Sequence, residues 1–266
     1  MAAFARQAVA GRESAEAKAR ALYDELIGIM RDGRLAPDRD NTPKAREPLT
    51  ATELWARVER GDSPAAGCYE LTVLYLGMAR SLGLSARGVE PLATTDTGAI
   101  GHVLAQVDFG NGESVQVDLQ NHNFGKGSEV RPLSDAELVA HHVNHRAVAA
   151  MLRGDTRTAL DELGAVVDQA SVPQADNNFA VLMARAGKLE VAEKYARRAV
   201  GKAPRAPVYR YQLGHLLIDT GDLCAGLVQL AEALRLRPGY PEVRGLARRT
   251  LEANPTLSCA GSAGAP

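Results

Sequence analysis

Three residues have the types and the order needed for nucleophilic chemistry: Cys68, His102 and Asp118. Cys68 follows the loop-forming run Gly61-Asp-Ser-Pro-Ala-Ala-Gly67 and opens an amphipathic stretch that reaches about Leu82. Leu71, Leu74, Tyr75, Met78, Ala79 and Leu82 repeat there at i, i+3 and i+4, which predicts a helix. A thiol at a helix amino terminus faces unpaired N–H groups and the positive end of the helix dipole, and both favour thiolate. His102 stands at the head of a predicted strand and Asp118 on the next one. An imidazole beside the sulfur would favour thiolate further and then protonate a leaving group. The carboxylate would orient the ring, as in Cys-His-Asp relatives of the serine triad.

The hairpin between the two strands sets a geometric condition. With Gly110-Asn111-Gly112 as a three-residue loop, Phe109 faces Glu113 and paired positions sum to 222. Leu104 then faces Asp118, so His102 and Asp118 are diagonal neighbours on one face, roughly 7–8 Å apart at the backbone. A two-residue loop would shift the register by one and put them on opposite faces. Asn121, Asn123 or a backbone carbonyl are alternative partners for the ring. Gln106 and the backbone N–H of Cys68 are candidate oxyanion donors, and His122, just after the last strand, is a candidate substrate contact.

These residues must be positioned by a mixed first half. Apolar side chains at Ala15, Ala19, Leu22, Leu26 and Ile29 predict a helix over 14–31. Gly33 to Pro48, with Pro37, Pro43 and Pro48, reads as an irregular connection. Thr50 with Glu53 three residues on signals the start of a short helix. Strands are predicted over Ser85–Glu90, Gly101–Asp108 and Ser114–Leu119, and none after about Leu133.

The second half repeats. In 173–206 and 207–240, Gly187 and Gly221, Ala199 and Ala233, Pro204 and Pro238, and Ala180 and Gly214 stand 34 residues apart, as do Ala192 and Gly226. A less regular copy fits 140–172, with Ala147, Gly154 and Ala159 in the matching places. The helix–turn–helix period with small residues at the crossings resembles the tetratricopeptide repeat. Residues 241–254 would form a capping helix, and 255–266 is expected to be a disordered tail. Asn177, Arg185, Tyr211 and His215 fall on the first helices of their repeats, so they are candidate groove-lining residues.

Gly67-Cys-Tyr-Glu-Leu-Thr-Val-Leu-Tyr-Leu-Gly-Met-Ala-Arg-Ser-Leu-Gly-Leu-Ser-Ala-Arg-Gly-Val-Glu90, the later Gly101-His-Val and Val117-Asp-Leu together resemble the core of the transglutaminase-like superfamily. The match falls at Cys68, Ala79-Arg80, Leu82-Gly83, Ala86-Arg87, Val89, His102 and Asp118, and extends over about 45–130. A bacterial subgroup joining this core to tetratricopeptide repeats is similar over most of the chain. The resemblance implies an α+β, papain-like core (helix plus small antiparallel sheet) in residues 1–135, then an all-α repeat domain in 136–254. It also implies acyl chemistry: cross-linking, peptide hydrolysis or amide formation, though some members have no demonstrated activity. One departure is Val103-Leu-Ala after the histidine, where many members carry an aromatic residue.

Composition narrows the remaining choices. The chain has 266 residues, 45% hydrophobic and 24% charged, and 31 Lys and Arg against 32 Asp and Glu give a net charge of −1. That balance argues against general nucleic-acid or membrane-surface binding. No apolar run approaches the roughly 18 residues of a membrane span, and the first residues read as a charged helix, not a signal peptide. Cys68, Cys224 and Cys259 are odd in number and far apart, so no disulfide is expected, Cys224 is assigned to packing, and the chain is expected in the cytoplasm. His141 and His145 have the i, i+4 spacing of a metal pair, but no third ligand is evident. With His142 they are assigned to packing of the first repeat against the core, and no metal or cofactor is expected. Residues 173–250 hold thirteen Lys and Arg against seven Asp and Glu, compatible with an acidic partner.

The sequence thus leads to a thiol enzyme acting on an amide or thioester carbonyl of a peptide, protein or acyl-thioester substrate, with water or an amine as acceptor. Two alternatives stand beside it. One is a non-catalytic repeat scaffold with a relic core. The other is an amide-bond-forming enzyme of a secondary-metabolite pathway.

Overall fold

The structure is a computed structural model that describes residues 1–38, 45–92 and 102–259. Pro43 of the irregular connection, Gly101 at the head of the predicted strand, and residues 260–266 of the tail lie outside the described residues. The chain divides into two compact units, meeting in sequence at Arg153 and Gly154.

The first unit opens with α1 (Ala2–Ala8) and α2 (Ala15–Arg31), whose Ser14 cap accepts a bond from the Ala17 N–H. The pair β1 (Ala36–Pro37) and β2 (Ala65–Ala66) is parallel, and α3 (Ala51–Arg60) lies between them in sequence. Thr50 and Glu53 form the expected reciprocal capping box at the start of α3. Helix α4 (Cys68–Ser81) buries Leu71, Leu74, Tyr75, Met78 and Ala79, each contributing up to about 1.5–3 kcal/mol for its larger side chains. It stops where Gly83 adopts φ +75° and the N–H groups of Gly83 and Leu84 return to the carbonyls of Arg80 and Ala79.

Five strands form an antiparallel sheet in the order β6-β5-β4-β3-β7. They are β3 (Ser85–Pro91), β4 (Leu104–Asp108), β5 (Ser114–Asp118), β6 (Asn123–Gly125) and β7 (Val130–Leu133). The strands β1, β2 and β6 have two or three residues, too few to show an alternation. Strand β7 carries Pro132, tolerated because β7 is a sheet edge.

Helix α5 (Asp135–Leu152) completes the first unit, so the division falls later than the expected 135/136 boundary. The physical reason is that its buried face is committed to this unit. A Cβ at Gly88 on β3 would stand 2.8 Å from Leu138, so the missing side chain lets the helix approach the strand. Tyr69 donates to the Leu138 carbonyl at 2.9 Å, and Arg153 binds the Ala45 carbonyl and Glu47.

The second unit is helical: α6 (Thr156–Val166), α7 (Pro173–Arg185), α8 (Leu189–Lys202), α9 (Pro207–Asp219), α10 (Leu223–Leu236) and α11 (Pro241–Ala253). Pro173, Pro207 and Pro241 each open a helix where no N–H partner is lost. Gly187 and Gly221 turn the chain at φ +73° and +93°. The helices α7 and α8, and α9 and α10, pair closely, as in a tetratricopeptide-like repeat. The expected small-residue crossing is tight: a Cβ at Gly226 would lie 2.8 Å from the Gly214 carbonyl oxygen and 2.6 Å from Ile218. Inside α7, Asp176 is fully buried and neutralised by Arg198 and by Lys202 at 2.7 Å.

One expectation is overturned. Cys224 and Cys259 are joined in a disulfide, with Cα atoms 5.4 Å apart, leaving Cys68 as the free cysteine. Distance in sequence misled the reading, because α11 returns antiparallel to α10 and brings the chain after it back to the start of α10. Residues 255–259 are therefore tethered rather than disordered.

The glycine crossing yields a prediction. Gly226→Ala gains up to about 1 kcal/mol in helix propensity but forces backbone apart, so it lowers stability by about 1–3 kcal/mol net. Gly164→Ala, on α6 with open space around it, keeps the propensity gain. Urea melts of both variants check the opposite signs.

Candidate functional site

Cys68 is the first residue of α4, with Gly67 in an extended conformation as its cap. Glycine offers no capping side chain, and the end is organised instead by Glu70, which is almost fully buried. Its carboxylate accepts from the Gly67 N–H at 2.8 Å, the Leu49 N–H at 2.8 Å, and both Arg46 amino groups at 2.8 Å. Burial opposes ionisation of Glu70, but these partners outweigh it and hold the carboxyl below its ordinary value. Beyond it, Thr72 donates to the Val103 carbonyl at 2.8 Å. Thr72 is one helical turn from Cys68, and Val103 adjoins His102, so this single bond brings the sulfur and the imidazole to one place.

The hairpin pairs Ala105 with Val117, Gln106 with Gln116, Val107 with Val115, and Asp108 with Ser114, all in the three-residue-loop register. The Phe109 N–H donates to the Glu113 carbonyl, closing the loop, and Gly110 and Gly112 both adopt positive φ. His102 Nε2 and Asp118 Oδ2 lie 2.7 Å apart. Asn121 supports the carboxylate from the turn after β5: its N–H reaches Oδ1 at 3.1 Å and its amide reaches Oδ2 at 2.8 Å. With Nε2 committed to Asp118, Nδ1 is the ring nitrogen left for the sulfur.

Burial works against the protonated ring, but hydrogen bonds to Asp118 and Cys68, and the charges of both, raise His102 to about 10. Asp118 is held low: burial opposes this, and the hydrogen bond and charge of His102, with Asn121, overcome it. The His102 and Asp118 side chains are 20% and 11% exposed and Cys68 is half-buried, so the group is sheltered yet reachable. A second chain of bonds fixes its rim. Gln120 donates to the Asp38 carbonyl at 3.2 Å, and the Asp38 N–H donates to the Ala66 carbonyl at 2.8 Å, just before Cys68.

The other candidates are dispersed. Gln106 donates to Asp108 at 3.1 Å, toward the hairpin loop. His122 is exposed in the turn after β5 with φ +52°. His141, His142 and His145 surround Tyr69 with ring centroids 6.3, 5.9 and 5.3 Å away, and His141 faces Glu90 at 3.3 Å. Burial first, then the charge of His141, keeps His145 below its ordinary value. Among the described residues no group of three or more His, Cys, Asp and Glu is arranged to hold a metal. In the second unit Asn177 is buried on α7. Arg185 is exposed at the end of α7, and Tyr211 stacks with His215 at 6.0 Å and meets Tyr240 at 5.6 Å.

Sequence reading passed over Glu70, Thr72 and Gln120. The only local signal was Gly67-x-x-Glu70, half of a capping box.

The fold and site together define an α+β unit that presents a Cys-His-Asp arrangement, followed by a helical-repeat unit. No family model and no curated protein matches the chain. Solved structures do. A mutant O-GlcNAc transferase of Thermobaculum terrenum is 24% identical over 47% of this chain, which spans 24% of that one, with a TM-score of 0.44. MamA is 14% identical over 44% of this chain and 68% of its own, TM-score 0.41. The first TPR of Spaghetti (RPAP3), bound to an HSP90 peptide, is 20% identical over 43% of this chain and 91% of its own, TM-score 0.41. These are distant likenesses.

Glu90 supplies a pH prediction. Burial opposes its ionisation, but His141 and Arg131 hold it at about 2 against an ordinary 4.5. A depressed carboxyl contributes fully above pH 4.5 and loses that contribution as pH falls toward 2. Acid unfolding followed by circular dichroism should show a steep loss of stability in that window, flattened in Glu90→Gln; an unchanged slope contradicts the linkage.

Proposed function

We propose that this chain is a transglutaminase-like thiol enzyme whose repeat unit binds a peptide or protein. The observation that carries the enzymatic part is His102, whose Nε2 bonds Asp118 at 2.7 Å and whose pKa, against burial, is raised by Asp118 and by Cys68 at the start of α4. In this reading the Cys68 sulfur attacks an amide or thioester carbonyl, and the tetrahedral oxyanion gathers against N–H groups at the start of α4. The Leu49 and Gly67 carboxylate contacts of Glu70 hold that helix end still. The imidazolium gives its proton to the departing amine or thiol, leaving an acyl-enzyme. Neutral His102 then takes a proton from water or from an amine, which attacks the thioester and releases Cys68. Water gives hydrolysis and an amine gives a new amide.

The binding part is the broader of the two and requires only the paired helices of the second unit. Stacked repeats of this kind bury a continuous core and leave an extended surface for a protein segment. That favours a second reading, an interaction scaffold in which the Cys68 site is a relic. The excess of Lys and Arg over Asp and Glu in 173–250 supports an acidic partner in either case.

Alkylation of Cys68 separates the readings. Because Cys224 and Cys259 are joined, one thiol per unreduced chain is open to iodoacetamide. At about pH 6 an ordinary thiol is almost wholly protonated, whereas one paired with an imidazolium reacts at least about tenfold faster. Wild type should label fast, Asp118→Asn more slowly, and His102→Ala at the rate of an ordinary thiol. Equal slow rates in folded wild type and His102→Ala reject the enzyme. A Cys68→Ala chain that keeps both its partner and its biological effect supports the scaffold.

A further inference from the structure

We propose that Cys224 and Cys259 form a redox-cleavable clasp that decides whether α11 stays seated on α10. Cys224 is the second residue of α10, and Cys259 lies on the short segment after α11. The two helices are joined at their other end by the turn through Pro238 and Gly239. The disulfide therefore closes the helix pair at its open end, making one covalent ring with a sequence separation of 35.

The clasp matters because α11 has a narrow hold. It buries Val243 and Leu246 with Leu230 and Ala233 of α10, with Ala247 packed beside them, and Thr250 one turn on, whose hydroxyl donates to the Leu246 carbonyl. Most of its other positions are open to solvent, with Glu242, Arg244, Arg248, Arg249 and Glu252 all exposed. A helix held by one thin apolar stripe opens at lower free energy than one packed on both faces. Linking its far end to α10 restricts the open state and so keeps the helix closed.

Cleavage is a thiol–disulfide exchange with a dithiol reductant. One thiolate of the reductant attacks a sulfur of the pair, breaking the S–S bond and forming a mixed disulfide. Its second thiol then displaces the first, so the reductant leaves oxidised while Cys224 and Cys259 have gained two electrons and two protons. In an oxidising compartment the clasp is shut; in a reducing one α11 is free to lift, uncovering Leu230 and Ala233.

The test uses the full chain, equilibrated with oxidised glutathione and then divided into untreated and dithiothreitol-treated samples. Intact mass after denaturing alkylation should show one cysteine, Cys68, carrying a label or a glutathione in the untreated sample, and three labels after reduction. Hydrogen exchange of residues 241–253 should accelerate at least about tenfold on reduction. A Cys224→Ser, Cys259→Ser double variant should exchange at the fast rate in both conditions. Three labels in the untreated sample, or equal exchange of 241–253 with and without reductant, overturns the proposal.

Discussion

The buried carboxylate of Glu70 is the interaction around which the first unit is organised. A charge almost without solvent is sustained only where partners replace water, and Glu70 has four: two Arg46 amino groups and the N–H groups of Leu49 and Gly67. Each partner is also a structural commitment. Gly67 sets where α4 begins, and therefore where Cys68 stands. Leu49 and Arg46 tie the incoming segment 45–49 to the same helix end, one residue before the Thr50 cap of α3. Replacing the charge would leave Arg46 and two backbone donors without their acceptor.

A second constraint is the parity of the β4–β5 hairpin. Side chains alternate along a strand, so the loop length alone decides whether His102 and Asp118 meet. Three residues between Phe109 and Glu113 give the productive register, and the two glycines at positive φ make that loop accessible. The helix contributes its share through Thr72, whose hydroxyl reaches the carbonyl beside His102. Local turn chemistry and one side-chain bond thus accomplish what no single segment does.

Much of this was legible in the residues, for reasons that differ by element. The helices at 15–31 and 68–81 announce themselves by 3.6-residue periodicity, and Gly110-Asn111-Gly112 marks the hairpin, while its register hangs on the loop length. The 34-residue period placed Gly187, Gly221 and the Gly214–Gly226 crossing, because small residues and left-handed glycines serve needs that recur in each repeat. What was hidden depends on contacts between distant segments. Glu70 reads as a surface helix carboxylate until Arg46 and Leu49 are brought to it. Cys224 and Cys259 look unrelated until α11 folds back along α10, and β6 and β1 are too short to carry any pattern. The reading of α5 as part of the first repeat met the same obstacle: Leu138 and His141 have partners in Gly88, Tyr69 and Glu90 of the first unit.

The site also has an unequal mechanical construction. His102, Asp118 and Asn121 belong to one sheet and its turn, cross-linked to each other, whereas Cys68 rides on a helix joined to that group through the Thr72 hydroxyl. The sulfur-to-ring separation and the ring-to-carboxylate bond are therefore separate degrees of freedom. A change in the position of α4 would alter the first without breaking the second.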